Sequence, residues 1–131
     1  MSTPRLPDYL QHIRLAAHQA ETYIEGVELD EFLQNDFVQN AVRSTLITIG
    51  EAATRIINKY PDFVAEHPEV PWHVMRGMRN QIAHGYFDID YAIVYDTVTQ
   101  SIPEMLQALP VLPLEPDDID INEINGAGRG T

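Results

Sequence analysis

Two arginines, a histidine and a tyrosine lie close together in one polar stretch of the sequence, residues 76–90. Arg79 precedes His84 by five residues, and Tyr86 follows His84 by two. An imidazole can remove the proton of a ribose 2′-hydroxyl or protonate a leaving 5′-oxygen, and a guanidinium can bind phosphate oxygens as negative charge builds on them. A histidine and an arginine are therefore sufficient for metal-free cleavage of RNA.

The same residues also have a purely structural interpretation. Within a regular helix, a separation of five residues places two side chains about 140° apart, so Arg79 and His84 would diverge. They meet if the helix unwinds near His84, or if two copies of the segment complement each other across a two-fold axis. Otherwise His84 caps a helix, Arg79 pairs with an acid such as Glu51 or Asp88, and Tyr86 is a core aromatic. Spacing alone leaves both interpretations open.

A helix is predicted to carry this stretch, because apolar residues recur in it at steps of three and four. These residues are Trp72, Met75, Met78 or Arg79, Ile82 and Ala83. Pro71 is expected at the first helical position, Gly85 at the C-terminal end, and Asp90 as the N-cap of the next helix. The histidine is therefore expected where the helix stops, with Tyr86 in the connection beyond it.

Three further helices complete the predicted fold. The first spans residues 4–26, where apolar side chains form one stripe. The second runs from an N-cap at Asp36 to about Tyr60, and the last follows Asp90 with a kink or restart at Pro103. Together the helices predict an all-α fold, most simply an antiparallel bundle of about four main helices.

Composition divides the chain into a helical domain, residues 1–110, and an acidic tail rich in proline and glycine, residues 111–131. The tail is predicted to be extended or disordered, because few of its residues can be buried in a core. The net charge of the chain is −12, which argues against broad, non-specific binding of nucleic acid. A local positive site is still compatible with this balance, because four arginines of the domain lie in two segments: Arg43, Arg55, Arg76 and Arg79.

Several classes of function are excluded by what the sequence lacks. There is no cysteine, so disulfides, thiolate catalysis and cysteine zinc sites are absent. No two histidines have the i,i+4 spacing of a helical zinc site, so we expect neither a metal nor a cofactor. We expect no membrane span and no signal peptide either, because no long apolar run is present, and a cytoplasmic location is the default.

The second predicted helix has an unusual polar face, in which small hydroxyls and amides accompany one charge of each sign. Its residues are Asn40, Ser44, Thr48, Glu51, Arg55 and Asn58. One interpretation is a solvent-exposed face with an i,i+4 ion pair between Glu51 and Arg55. The other is that the face lines a polar interface or cleft. Both interpretations are compatible with the pattern.

The short sequence strings around the reactive residues indicate a protein family more specifically than the spacing of those residues does. The string RNQIAHGYF, residues 79–87, is preceded by Trp72, by Arg-Gly-Met at 76–78 and by Ile-Gly-Glu-Ala at 49–52. In this order they resemble the HepT family of the HEPN superfamily, and the resemblance covers about residues 5–110. The motif of that family is an arginine, four residues, a histidine, any residue and a tyrosine. This chain matches the motif at every position with Arg79, His84 and Tyr86.

The resemblance implies a fold, an activity and a partner. HEPN domains are α-helical bundles that form homodimers in which two motifs share a cleft, and many are metal-independent endoribonucleases. HepT proteins are toxins of type VII toxin–antitoxin modules, acting on RNA such as tRNA or mRNA. Their antitoxin, an MntA-like nucleotidyltransferase, transfers AMP from ATP to the motif tyrosine. Other HEPN proteins are non-catalytic subunits that dock a nucleotidyltransferase or bind nucleotide, which is the alternative function.

Carried across residue by residue, the resemblance assigns catalysis to Arg79 and His84, with Asn80 assisting. It assigns AMPylation to Tyr86. The motif gives no role to three other polar residues that could line the shared cleft: Glu51, Arg55 and Arg76.

Overall fold

The computed structural model of the protein describes residues 3–84 and 88–113, and the side chains among them except those of 83 and 84. Every regular element in these ranges is helical, and no strand occurs in them, which confirms the predicted all-α fold. None of the helices described is long and apolar enough to span a bilayer. The predicted tail beyond residue 113, the expected helix stop at Gly85 and the motif tyrosine, Tyr86, lie outside the described residues.

The helices follow one another along the chain with short connections. Their bounds are α1 Leu6–Ile24, α2 Leu29–Phe32, α3 Asp36–Lys59, α4 Pro61–Glu66, α5 Trp72–His84, α6 Tyr91–Asp96 and α7 Ile102–Ala108, with a π-helical turn at Thr97–Ser101 between the last two. The four main helices predicted from the sequence correspond to α1, α3, α5 and the segment from α6 to α7.

Helix α3 is the centre of the bundle, and its most extensive contacts are with α1 on one side and α5 on the other. Its apolar face is completely buried at five positions: Val42, Leu46, Ile49, Ala53 and Ile56. Complete burial of a large aliphatic side chain stabilises the fold by roughly 1.5–3 kcal/mol. This burial fixes the rotation of α3, so its polar face, including Thr48, Glu51 and Arg55, is exposed.

Two predicted helix starts are wrong by one residue. The N-cap of α3 is Asn35, whose side-chain oxygen accepts the Val38 N–H at 3.1 Å. Asp36 is the first helical residue, and its negative charge there stabilises the helix by interacting with the positive end of the helix dipole. Pro71 precedes α5 instead of opening it, because its carbonyl accepts the Met75 N–H at 3.0 Å in the position of a cap.

The cap predicted for α6 is confirmed. The Asp90 carboxylate accepts the backbone N–H groups of Ala92 at 3.0 Å and Ile93 at 3.3 Å. This bond pattern satisfies two of the donors that the first turn of a helix leaves unpaired. It therefore fixes where the chain becomes helical again after the motif.

The predicted irregularity near Pro103 takes the form of a π-helical turn. The Ile102 N–H bonds to the carbonyl of Thr97, five residues back, and α7 restarts with Pro103 in its first turn. A proline ring crowds the preceding turn and removes one donor. A wider turn relieves this crowding without breaking the helical path.

Helix α5 is anchored at its start by the predicted apolar residue, Trp72. The indole is 2% exposed, and its N–H donates to the His67 carbonyl at 2.9 Å. The ring also meets Phe63 of α4 edge-on, with centroids 6.1 Å apart. These contacts fix the beginning of the helix that carries the motif.

Candidate active site

The site is built where α3 and α5 approach each other closely, at Gly50. A Cβ placed on Gly50 would overlap the Cβ of Arg79, and it would lie 2.9 Å from both the Arg79 Cγ and the Met75 carbonyl. Only a residue without a side chain allows this approach. The missing side chain therefore lets the base of the Arg79 side chain rest directly on α3.

The Arg79 guanidinium is held by one neighbour on each side. Its Nη2 donates to the Glu51 Oε1 at 3.1 Å, and its Nη1 donates to the Asn80 Oδ1 at 2.9 Å. A guanidinium has five N–H donors, so these two bonds do not exhaust it. The arginine is oriented and still able to bind phosphate oxygens.

The ion pair orients the arginine more than it stabilises the fold. The Arg79 side chain is 31% exposed and that of Glu51 is 50% exposed, and a pair in such surroundings contributes at most about 1 kcal/mol. One structural alternative from the sequence, the pairing of Arg79 with Glu51, is thus present. It is compatible with catalysis, because the pair leaves the guanidinium accessible.

Arg76 lies one turn before Arg79 on α5, but it is not brought to Glu51. Its Nη2 is 3.1 Å from the Nδ1 of His73, and the arginine is half-buried while the histidine is exposed. No carboxylate pairs with Arg76 in the described ranges. Its guanidinium therefore lies beside His73 and not at the Arg79–Glu51 pair.

His84 is the last residue of α5, and the helix reaches it without a π or 3₁₀ turn. The local unwinding considered from the sequence therefore does not occur between Arg79 and His84. In one regular helix the two positions stay about 140° apart. The pairing of two copies is the other way in which they could meet.

The polar face of α3 lines an open groove with a volume of about 680 Å³, whose other wall is the N-terminal part of α1. Glu51 and Arg55 both line it. They do not form the i,i+4 ion pair with each other, because the carboxylate of Glu51 binds Arg79 instead. The groove is therefore linked to the arginine of the motif through Glu51, which lines the groove and binds Arg79.

Two parts of this site were not found by sequence analysis. One is Gly50, which the resemblance includes only as part of the Ile-Gly-Glu-Ala string. A glycine inside a helix costs roughly 0.5–1 kcal/mol and often marks a close approach of two backbones. The α1 wall of the groove brings Tyr9 and His12 to the end of α3, a contact that no local pattern predicts. Among the described side chains, no group of three or more histidines or acids is arranged to hold a metal.

Comparison with known proteins identifies relatives that are described as ribonucleases. A family model described as "Ribonuclease HepT-like" matches residues 13–112. A protein of Thermococcus cleftensis described as "Probable ribonuclease HepT" is 37% identical over 98 residues, which cover 75% of this chain and 86% of that protein. A protein of Caldanaerobacter subterraneus, described as a candidate RNase, is 32% identical over 105 residues, covering 80% of this chain and 89% of that protein.

A third relative, a candidate RNase of Methanocaldococcus jannaschii, is 31% identical over 112 residues, which cover 86% of this chain and the full length of that protein. No solved structure shows a significant match to the chain.

Proposed function

The chain belongs to the HepT-like ribonuclease family, and from that premise we propose that it is the ribonuclease toxin of a toxin–antitoxin module. It acts as a metal-independent endoribonuclease on RNA such as tRNA or mRNA. The observation that carries the proposal is the Arg79 guanidinium, which is held by Glu51 and Asn80 and still accessible. Arg79 lies in the family motif, and its partner Glu51 lines an open groove.

In the proposed mechanism, the imidazole of His84 transfers protons and the guanidinium of Arg79 stabilises the negative charge on the phosphate. Removal of the 2′-hydroxyl proton lets that oxygen attack the phosphorus, and the bond to the 5′-oxygen breaks as that oxygen takes up a proton. Arg79 binds the non-bridging oxygens, where negative charge increases in the transition state. Asn80 assists by accepting a hydrogen bond from the guanidinium at 2.9 Å.

The active unit in this proposal is a homodimer. Helix α5 is regular up to His84, so Arg79 and His84 of one copy are separated around the helix. A two-fold axis would place the same surface of two copies together, so that each motif complements the other. Two copies also supply two imidazoles, one to accept a proton and one to donate it.

Control of the toxin is proposed to act on Tyr86, two residues after His84. An MntA-like nucleotidyltransferase antitoxin would transfer AMP from ATP to its hydroxyl. Each AMP adds a negative phosphodiester and a bulky base near the position where the RNA phosphate has to bind. The modified protein would repel its substrate without losing its fold.

Intact mass spectrometry tests this control. When the protein is produced together with the nucleotidyltransferase of its neighbouring gene, we expect its mass to rise by whole multiples of one AMP unit. The gain should vanish in Tyr86→Phe, because that variant lacks only the accepting oxygen. Tyr95→Phe is the matched control, because the Tyr95 hydroxyl already donates to the Val27 carbonyl at 2.8 Å. An unchanged mass gain in Tyr86→Phe would show that the modified residue is not Tyr86.

The nuclease activity itself is tested with purified protein and total tRNA. We expect cleavage that is unaffected by a chelating agent, since the proposed chemistry uses only an imidazole and a guanidinium. Loss of activity on chelation would contradict the metal-independent mechanism. Binding of RNA or nucleotide without any cleavage would instead favour a non-catalytic subunit, an alternative with which the net charge of −12 is compatible.

A further inference from the structure

The groove between α1 and α3, here called the α1–α3 groove, has a composition that the proposed chemistry does not use. Besides Glu51, which binds the arginine of the motif, its polar lining consists mainly of Tyr9 and His12 of α1 and of Arg55 and Lys59 of α3. It is open to solvent and has a volume of about 680 Å³. This is room for a polymer strand lying along the surface.

The charge of the α1–α3 groove is opposite to that of the chain as a whole. Arg55 and Lys59 are exposed and lie one turn apart on the same face of α3. Neither is ion-paired with a carboxylate in the part of the chain that the structure describes. Glu51 is the single acid among the described lining residues, and its charge is balanced by Arg79 at 3.1 Å. The groove is therefore a local positive channel on an acidic protein.

The two aromatic residues of the groove, Tyr9 and His12, contact each other, and Tyr9 also contacts Lys59. The Lys59 Nζ donates to the Tyr9 hydroxyl at 3.3 Å and lies 5.6 Å from the centroid of that ring. The Tyr9 ring is 7% exposed, so it forms a rigid floor. His12 is exposed and meets this ring nearly at right angles, with centroids 6.3 Å apart. The Tyr9 ring thus contacts both the His12 imidazole and the Lys59 ammonium.

We infer that the α1–α3 groove binds the single-stranded RNA that flanks the cleaved bond. Arg55 and Lys59 contact backbone phosphates, and His12 stacks against a base. A positive groove combined with aromatic rings is the arrangement by which proteins bind single strands without reading their sequence. The inference rests on the proposed function for its location, because it places the scissile phosphate at Arg79.

The geometry along α3 supports a continuous path. With a rise of 1.5 Å per residue, Arg55 lies about 6 Å and Lys59 about 12 Å beyond Glu51 along the helix axis. Since Glu51 contacts Arg79 directly, a strand that leaves the arginine of the motif meets the two cations in turn. An acidic chain would thereby accept RNA along one track and repel it elsewhere.

The test is binding of a fluorescent, single-stranded 2′-O-methyl RNA oligonucleotide, which lacks the attacking hydroxyl and cannot be cleaved. We expect the double variant Arg55→Gln/Lys59→Gln to bind at least tenfold more weakly at low salt. The magnitude of the slope of log association constant against log salt concentration should decrease by about 1.4, because each of the two lost single-strand phosphate contacts contributes about 0.7. His12→Ala should weaken binding about tenfold and leave the salt slope unchanged, because a stacking contact releases no counterion.

Two matched controls lie further along α1, away from the groove. Gln19→Glu lowers the net charge by one at an exposed position, and His18→Ala removes an exposed histidine that contacts Glu21. Both should bind the oligonucleotide like the wild type. If Gln19→Glu loses half as much binding as the double variant on a logarithmic scale, only net charge matters, because it changes the charge by one unit and the double variant by two, and the inference is overturned.

The remaining outcomes separate this inference from the proposed function. Wild-type affinity and slope in the double variant, or no binding by the wild-type protein, overturn the inference whether or not the protein cuts RNA. Weakened binding with the expected slope supports it even if no cleavage is ever observed, in which case the nuclease proposal alone fails. If the double variant changes its oligomeric mass in sedimentation, the groove is a contact between protein copies and the inference is wrong.

Discussion

Replacement of Arg79 by alanine is expected to lower the rate of RNA cleavage by roughly 10²- to 10³-fold, the usual effect of removing one group that stabilises transition-state charge. His84→Ala should lower it by roughly 10²- to 10⁴-fold, because a general acid or base is lost. Both variants should stay folded, since the Arg79–Glu51 pair is partly exposed and contributes at most about 1 kcal/mol, and since His84 is the last residue of its helix. Cleavage rates and circular dichroism on the same preparations check both expectations.

Two further variants of α5 sharpen this experiment. Arg79→Lys keeps the positive charge but loses the planar fork, so it should recover only part of the activity. Val74→Ala changes a side chain that is 70% exposed on the same helix, and it should cleave like the wild type. If Arg79→Ala and His84→Ala both cleave at the wild-type rate, these residues are not the catalytic pair.

Substitution of Gly50 by alanine is expected to destabilise the protein by about 2 kcal/mol, within the usual range for an overpacked core. In a helix with free space, the same change would stabilise by roughly 0.5–1 kcal/mol. Here the new methyl group would overlap the Cβ of Arg79 and crowd the Met75 carbonyl at 2.9 Å. Neither neighbour is the flexible end of a side chain, so the clash outweighs the gain in helix propensity.

Gly77 is the matched control for this prediction. It lies inside α5, it is exposed, and a Cβ added to it would meet nothing within 4 Å. Gly77→Ala should therefore raise the free energy of unfolding by roughly 0.5–1 kcal/mol. Urea denaturation of both variants gives the comparison, and equal stability of Gly50→Ala and wild type would show that α3 and α5 separate without cost. The Gly50 variant should also lose cleavage, because separation of the helices moves the Arg79 guanidinium.

The positions of the main helices could be predicted from the sequence because burial follows helical periodicity. The apolar stripe of α3 is an example, since Val42, Leu46 and Ile49 recur at steps of four and three and are all completely buried. The exact start of that helix could not be predicted. Asn35 and Asp36 are both good capping residues, and tertiary packing decided between them.

The candidate site was only partly predictable for a different reason. The motif lies within one segment, so its residues could be recognised from their order. The contact of Arg79 with Glu51 and the groove wall formed by Tyr9 join residues far apart in the chain. Such contacts depend on how closely two helices approach, which no periodicity encodes. Their roles, like that of Tyr86, remain predictions for the experiments above.

The contact at Gly50 also imposes a rule on how this sequence can vary during evolution. A larger residue at position 50 fits only if the side chain at position 79 becomes smaller, and that exchange would remove the guanidinium. Selection for the arginine on one helix therefore acts on the glycine of another. Homologous chains that keep the arginine should keep the glycine, and those that lose one should be free to lose both.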